Sequence, residues 1–264
     1  MTLIIQKPTG AKLVFRKELP ADTDADNYIA AVEAADGQSL ESGVKFAIKN
    51  FVLTCKDDGI WDAIKASCIL AGARTLTGAL VPLAGTAPSN VNFVSGDYNR
   101  KTGLVGNGST KYLNSNRSNS ADPQNSNHNA AYATTIASAG SYINARGAAN
   151  SDTGTNAMGA GPFFRSRAAT AQVYTSTATG LIATNRSSSS AYTARFGGSN
   201  NTISTVSQAP LAVNLFVFAR NTNGTPEFYG DCRLAFYSIG ESLNLALLDA
   251  RVTDLINAFA AAIP

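Results

Sequence analysis

The clearest metal-binding pattern in this sequence is a group of acidic side chains near its N-terminus. Four carboxylates have the spacing of positions 1, 3, 5 and 12 of an EF-hand calcium loop: Asp22, Asp24, Asp26 and Glu33. Asn27 replaces the glycine that such a loop needs for its sharp turn, and Pro20 stands where an incoming helix should be. We therefore interpret the segment as the acidic N-terminus of a helix, stabilised by the helix dipole, and expect no cofactor, with Ca²⁺ as the alternative.

Three polar groups of residues combine a planar ring, an amide and a guanidinium, which stack on sugar rings and bond to sugar hydroxyls or acidic sugars. They are Tyr98, Asn99 and Arg100; Arg165, Arg167 and Tyr174; and Asn185 with Arg186. These residues form the predicted glycan-binding site. The competing interpretation is that Tyr and Arg side chains cover apolar area on a sheet surface.

Acidic residues are scarce between Asp97 and Glu227, where Asp122 and Asp152 are the only two. A glycosidase needs two carboxylates flanking the scissile bond, separated by about 5 Å or by about 6.5–9.5 Å. Both acids stand in polar loop sequence, so we predict no catalytic residues and a protein that is not an enzyme. Convergence of the two acids from distant loops is the alternative.

The single histidine and the three cysteines also give no indication of a catalytic or metal-binding site. His128 stands in an Asn-rich stretch without a neighbouring Cys or Asp, so we predict a solvated loop side chain and neither a catalytic triad nor a zinc site. Cys55, Cys68 and Cys232 lie in apolar runs without CxxC spacing. We expect buried free thiols, with one disulfide as the alternative.

The elements that must position these residues divide the chain into three parts. Residues 1–20 form a predicted hairpin with strands at 3–5 and 13–15, which we expect to attach to the same chain or to a neighbour. Residues 21–85 are predicted to be helical: one helix is capped by Asp22 and ends before Gly37, and a second carries its apolar face over residues 40–55. A short helix around Trp61 and a buried strand at 67–70 follow.

Residues 86–264 are predicted to form an antiparallel jelly-roll sandwich with a C-terminal helix. The predicted fold class is therefore mainly β. Short strands recur between turn residues at 130–136, 141–145, 163–165, 172–175, 180–185, 192–196 and 211–219. Asn107 and Gly108 predict a type I′ hairpin, and residues 114–129 predict a long surface loop. The last strand alternates from Cys232 to Ile239, Gly240 breaks it, and Ser242 caps the helix.

Composition excludes two classes of partner. The formal net charge is +3 and 15% of the residues are charged, without a basic cluster, so we expect no nucleic acid. No window reaches the ~18 apolar residues of a membrane span, and the opening MTLIIQKPTG lacks the basic region of a signal peptide. We therefore expect no membrane insertion.

Two sets of residues carry a resemblance to known families. The positions Phe228, Gly230, Leu234, Tyr237 and Leu243, with TGLVGNGSTKYLN upstream, resemble the last and first strands of laminin-G-like, concanavalin A-like jelly rolls. The phrases DGIWDAIKASCILAGARTLTGALVPL and NFVSGDYNRKTGLVGNGSTKYL resemble phage and prophage virion proteins, notably of cyanophages, from about Tyr28 onward.

The resemblance implies a non-enzymatic virion structural protein of the tail-fibre or adhesin type that binds host-surface glycan. It also implies assembly in the host cytoplasm, a place on the virion, other virion proteins as partners and a homo-oligomeric state. One alternative is a capsid or neck decoration protein that binds only other virion proteins. Another is a polysaccharide depolymerase that uses Asp122 or Asp152.

Overall fold

The computed structural model describes residues 19–146, 154–161, 163–174 and 178–264. The predicted hairpin over residues 1–20 therefore lies outside the described residues, apart from its last two positions, and so does Asp152. The helices are α1 (Thr23–Asp36), α2 (Ser42–Asp57), α3 (Leu76–Ala79) and α4 (Leu245–Ala262), with 3-10 turns at Trp61–Ala63 and Ser95–Asp97.

The strands occupy most of the rest of the chain. In chain order they are β1 (Ile64–Ile69), β2 (Ser89–Val91), β3 (Tyr98–Asn99), β4 (Gly103–Val105), β5 (Tyr112–Ser118), β6 (Asn127–Thr135), β7 (Ser141–Arg146), β8 (Asn156–Gly159), β9 (Phe163–Ser166), β10 (Gln172–Val173), β11 (Gly180–Arg186), β12 (Ala191–Phe196), β13 (Ser199–Ser204), β14 (Asn214–Val217), β15 (Arg220–Thr222), β16 (Thr225–Glu227) and β17 (Arg233–Gly240).

These strands form two antiparallel sheets that pack as a sandwich, so the predicted mainly β sandwich with a C-terminal helix is confirmed. The first sheet has the order β13-β12-β11-β6-β17-β4-β3, and β1 also pairs with β17. The second sheet has the order β10-β9-β8-β7-β14-β5-β2, with β15 added in parallel on β7 and β16 paired to β15. The strands that the sequence did not indicate are β2, β3, β8, β13, β15 and β16.

Two apolar cores hold these layers together. The core between the sheets takes Leu104 and Leu234 from the first sheet and Leu113 and Val217 from the second. The other core lies between the first sheet and the helices α1, α2 and α4, where the rings of Phe51 and Phe236 meet edge to face at 5.8 Å. The helices therefore cover the first sheet, whereas the second sheet has an outer face of its own.

Local sequence explains the helices. The Asp22 carboxylate accepts the N–H of Ala25 and caps α1, and Gly37 ends it in the left-handed conformation with φ 68°, which glycine adopts without steric cost. Both features confirm the predicted first helix. The predicted third helix is a single 3-10 turn, and Ile64 already belongs to β1.

The last strand, β17, is buried on both faces, and its predicted strict alternation is wrong. Leu234 pairs with Ala133 and Phe236 with Tyr132, so Ala235 is an extra residue that forms a β-bulge. The bulge sends Ala235 and Phe236 toward the helices and returns Tyr237 to the core between the sheets. The strand thus contributes apolar side chains to both cores.

The predicted hairpin at Asn107 and Gly108 is also wrong. Strand β4 pairs with β3 and β17 in the first sheet, whereas β5 pairs with β2 and β14 in the second. The Asn107 side-chain oxygen accepts the N–H groups of three following residues, Ser109, Thr110 and Lys111, at 3.1, 2.9 and 3.1 Å. The Asn107 side chain therefore stabilises the connection that crosses from the first sheet to the second. The Asn-Gly dipeptide alone does not indicate this role.

Half of the polar stretch at 114–129 is strand, which corrects the predicted long surface loop. Strand β5 continues to Ser118 and β6 begins at Asn127, so the connection spans only 119–126. Within it, Asn119 and Asp122 are buried. Polar composition indicated exposure to solvent here, but the Asn119 amide donates to the Gly154 carbonyl and the Asp122 carboxylate accepts from Arg117.

The C-terminal helix begins later than predicted. Asn244 caps α4 by accepting the N–H groups of Ala246 and Leu247, whereas the N–H of Ser242 donates to Ser126 Oγ. In the part of the chain that the structure describes, no helix is long and apolar enough to cross a membrane.

The predicted buried free thiols are confirmed: Cys55, Cys68 and Cys232 are all buried and unbridged. Burial raises the pKa of Cys55 and of Cys68 to about 12, so both remain protonated thiols at neutral pH.

Candidate functional site

The outer face of the second sheet carries a group of aromatic rings. Tyr112 on β5 lies against Phe216 on β14 with ring centroids 4.6 Å apart, and against Tyr229 at 6.2 Å. Phe216 is buried beneath this group, while Tyr112 and Tyr229 are partly exposed. A ring supported from below in this way presents a firm apolar surface.

Side chains alternate between the two faces of a strand, and this alternation places the rings on the outer face of the second sheet. Along β5, Leu113 enters the core between the sheets, so its neighbour Tyr112 is on the opposite face. Along β14, Leu215 and Val217 enter the same core and leave Phe216 outside. Pairing of β5 with β14 then brings the two outer rings together.

Polar side chains continue this face on neighbouring strands. Asn114, Phe216 and Asn144 pair across β5, β14 and β7, and Arg220 on β15 also pairs with Asn144; we call these four residues the cross-strand row. The Asn214 amide donates to Asn114 Oδ1 at 3.1 Å. Asn144 is buried, and its Oδ1 has no hydrogen-bond partner among the described residues.

Phe228 borders the row in a strained conformation. Its φ is 47°, in the left-handed region that bulky residues avoid at a cost of about 1–3 kcal/mol, and its side chain is 60% exposed. The Arg220 guanidinium lies 3.8 Å from the centre of its ring and is bonded to Glu227 at 2.6 Å. The Phe228 carbonyl accepts the N–H of Ser141, which holds this conformation.

The described part of the face carries no net charge and is partly dehydrated. Burial raises the pKa of Tyr112 above its usual value, with a smaller contribution from Tyr229, so its hydroxyl stays protonated at neutral pH. Glu227 neutralises Arg220. Rings, amides and a neutralised guanidinium can stack on a sugar and bond to its hydroxyls without attracting strongly charged ligands.

The first predicted group joins β3 to the helical segment. The Tyr98 hydroxyl donates to the Ala73 carbonyl at 2.8 Å, and Arg100 donates to both oxygens of Glu41 at 3.0 and 2.7 Å. Asn99 accepts the N–H groups of Lys101 and Thr102. Arg100 lowers the pKa of Glu41 to about 2, which marks a strong ion pair between the two layers.

The second and third predicted groups are separated. Tyr174 packs on Phe164 and Phe196 with centroids 6.0 and 4.8 Å away, and the Arg165 guanidinium lies 5.2 Å from the Phe163 ring. Asn185 accepts the N–H of Leu243 at 2.8 Å.

Arg167 and Arg186 meet inside the sandwich and are therefore not available to a sugar in solvent. The eight predicted residues do not form one surface site. The outer face was missed because its members are distant in sequence.

The four predicted calcium ligands are paired with lysines instead. Asp22 and Asp24 both reach Lys56, at 2.7 and 2.6 Å, and Asp26 reaches Lys49 at 2.9 Å. Glu33 lies 3.2 Å from Lys45 and accepts the N–H of Leu40. No group of three ligating side chains with metal-binding geometry occurs in the described chain. The preferred interpretation, an acidic helix N-terminus, agrees with this arrangement.

Calcium is accordingly expected to release no binding heat. Each carboxylate would have to exchange a lysine for the ion, and α1 would have to unwind to wrap it. Isothermal titration of the protein with Ca²⁺ measures this, with Asp24→Ala as the matched variant. A binding heat in the wild type that disappears in Asp24→Ala would contradict the expectation.

His128 is a buried strand residue, so the predicted solvated histidine is wrong. Its Nδ1 lies 2.6 Å from the Glu241 carbonyl oxygen, which can only accept, so Nδ1 carries the proton. Its Nε2 then accepts from Ser238 Oγ at 2.7 Å. Burial lowers the pKa of His128 to about 4, so the ring is neutral at pH 7.

Asp122 is also buried, contrary to its predicted place in a polar surface loop. Its Oδ2 accepts Arg117 Nε at 3.0 Å, and its Oδ1 accepts the Nη2 of the same guanidinium. The bidentate pair holds the 119–126 connection against β5. A buried carboxylate with both oxygens bonded to one guanidinium is poorly placed to attack or protonate a sugar.

Comparison with known proteins gives distant likenesses in fold. No protein-family model matches the chain, and no curated protein matches it. Among solved structures, it is similar to the NanB sialidase from Streptococcus pneumoniae (TM-score 0.38, 10% identity, 48% of this chain). It is also similar to domain 4 of AbnA, a GH43 extracellular arabinanase from Geobacillus stearothermophilus in complex with arabinotriose (TM-score 0.37, 12% identity, 66% of this chain and 82% of that one). The chain spans 24% of the sialidase chain.

Proposed function

We propose that the protein is a non-enzymatic virion structural protein of the tail-fibre or adhesin type, and that the outer face of its second sheet binds host-surface glycan. The observation that carries the proposal is this outer face, where the cross-strand row places amides and a guanidinium beside the packed rings of Tyr112, Phe216 and Tyr229. The place on a virion, with other virion proteins as partners and a homo-oligomeric state, follows from the sequence resemblance.

Sugar recognition requires two kinds of contact, and the face offers both. The apolar side of a pyranose packs on an aromatic ring, and Tyr112 and Tyr229 are partly exposed with Phe216 beneath them. Hydroxyls need donors and acceptors at fixed positions, and Asn114 and Arg220 are partly exposed and held by the pairing of β5 with β14 and of β15 with β7.

The same face favours binding over cleavage. Its carboxylate, Glu227, is bonded to Arg220 and to the Thr222 hydroxyl at 2.6 and 2.9 Å. Hydrolysis needs a second carboxylate across the bond, and Asp122 is instead bonded to Arg117 in the interior. A depolymerase would have to place its acids elsewhere.

Replacing Tyr112 or Tyr229 with alanine is expected to weaken glycan binding at least about tenfold, because each removes a stacking surface. The measurement is binding of purified protein to an array of host-cell lipopolysaccharides and capsular polysaccharides. Phe46→Ala is the matched control, since Phe46 is an aromatic residue 44% exposed on α2, in the helical layer. It should bind like the wild type.

Three other outcomes would redirect the proposal. Binding that survives both tyrosine variants would remove the site from the outer face. Absence of glycan binding, with tight binding to purified virion shells, would favour a capsid or neck decoration protein. Release of reducing ends from host polysaccharide, lost in a folded Asp122→Asn or Asp152→Asn variant, would favour the depolymerase.

A further inference from the structure

Two arginine side chains lie inside the sandwich. Arg186 is on β11 and Arg167 directly follows β9, and they are 0% and 1% exposed. Taking a guanidinium out of water is costly unless a counter-charge accompanies it, and arginine does not lose its proton in proteins. Their surroundings should therefore contain negative charge.

The described partners of both arginines are neutral. Arg186 Nε donates to the Ser166 carbonyl at 2.8 Å, and its Nη1 donates to three further carbonyls, those of Ser188, Ala191 and Thr205. Arg167 donates to the carbonyls of Asn119 and Pro123. Carbonyls satisfy hydrogen bonds but leave the charge uncompensated.

The carboxylate that interacts with Arg167 is already bonded to another arginine. Asp122 is bonded through both oxygens to Arg117, so the guanidinium groups of Arg117 and Arg167 share one carboxylate in this part of the described chain. Burial lowers the pKa of Arg167 to about 10, and the like charges of Arg186 and Arg117 act in the same direction. The side chain is nevertheless charged at pH 7.

Three buried N–H donors in this place have no acceptor among the described residues. They are Arg167 Nε, Arg186 Nη2 and Asn127 Nδ2. Asn127 pairs directly with Arg186 across β6 and β11, and its Oδ1 accepts from Ser166 Oγ at 3.1 Å. Unpartnered acceptors also occur two residues further along β6 and β11, at Asn129 Oδ1 and Thr184 Oγ1. The three donors at and beside the guanidinium groups still lack an acceptor, and the two positive charges indicate that it is an anion.

We propose that Arg167, Arg186 and Asn127 bind a small monovalent anion of the halide class inside the sandwich. Side chains this buried leave no open path for a phosphate or an acidic sugar. A water molecule could accept the hydrogen bonds but would leave the charge uncompensated. The anion would be a permanent part of the fold, separate from the glycan-binding face.

Crystals grown in bromide test the site directly. Bromide scatters anomalously, and the expected result is one strong anomalous peak within hydrogen-bond distance of Arg167 Nε, Arg186 Nη2 and Asn127 Nδ2. A site that shows the density of a water molecule without an anomalous signal would overturn the proposal.

Thermal unfolding at constant ionic strength tests it in solution, with chloride replaced by gluconate. A ligand that binds only the folded state should raise the midpoint by about 5–10 °C for each hundredfold increase in chloride above its Kd. Arg186→Met should lose this dependence. Arg195→Met should keep it, because Arg195 is paired with Asp249 and Asn200.

A second variant keeps the test decisive if Arg186→Met does not fold. Asn127→Ala removes one donor and retains both arginines, so its chloride dependence should be weaker than that of the wild type. Equal midpoints for the wild type in chloride and gluconate would contradict the proposal whatever the variants show.

Discussion

Replacing Asp122 with asparagine is expected to lower the free energy of unfolding by about 3–5 kcal/mol. Asp122 is 4% exposed, and both of its oxygens accept from the Arg117 guanidinium. Asparagine keeps the shape but removes the charge, so Arg117 and Arg167 would both lose the carboxylate that interacts with them. Breaking one side of a buried ion pair leaves the other charge uncompensated, which is the origin of the large cost.

Urea unfolding of the variant and the wild type measures this cost. Asp254→Asn is the matched control, because Asp254 is an exposed carboxylate 3.8 Å from Arg251, and pairs of that kind contribute about 0.5 kcal/mol or less. A change at Asp122 no larger than the change at Asp254 would contradict the buried ion pair. The result also decides how Asp122 variants are interpreted in a depolymerase assay, since loss of activity through unfolding is not loss of a catalytic acid.

Acid is expected to destabilise the fold through His128 by about 3 kcal/mol between pH 6.5 and pH 4. The folded pKa is lowered to about 4 because the ring is buried, whereas an unfolded histidine titrates near pH 6.5. Between pH 6.5 and pH 4, the unfolded chain therefore binds a proton at His128 that the folded chain does not bind. The stability is fully present above pH 6.5, is lost progressively as the pH falls, and changes no further through this residue below pH 4.

Urea unfolding at intervals of pH, for the wild type and His128→Gln, isolates this contribution. Glutamine can still donate to the Glu241 carbonyl but does not titrate, so its stability should be nearly flat between pH 6.5 and pH 5. Carboxylates with lowered pKa values, such as Glu41 with a pKa of about 2, lose their contribution only at lower pH. Parallel pH profiles for both proteins would show that His128 is not buried in its neutral form.

The helices and the overall architecture could be predicted because their signals are local. The Asp22 cap, the Gly37 stop and the apolar face of α2 each depend on neighbours within one or two turns. Alternation of Leu215 and Val217 with outward residues likewise indicates a strand before any pairing is known.

The start of β6, residues 127–129, could not be predicted because the inward positions at this end of the strand are polar. Asn127 enters the sandwich, whereas Ala131, further along the same face, belongs to the apolar core. Composition therefore indicated a loop. Only the partners, which come from Ser166 and Asn156 on another sheet, show how the amide is buried. The same distance in sequence hid the burial of His128 against Ser238.

The candidate site was hidden for a related reason. Tyr112 and Phe216 each appear in a strand as an outward ring, but their contact depends on the pairing of β5 with β14. The predicted sugar-binding groups were chosen from rings and arginines adjacent in sequence. Arg100 and Arg186 instead hold layers and strands together.

A crystal structure of the protein soaked with the best-binding oligosaccharide from the array tests the central claim most directly. We predict that one sugar ring will pack on Tyr112 and Tyr229, with hydroxyls bonded to Asn114 or Arg220 on the outer face of the second sheet. A sugar bound at another surface, with this face bare, would contradict the account.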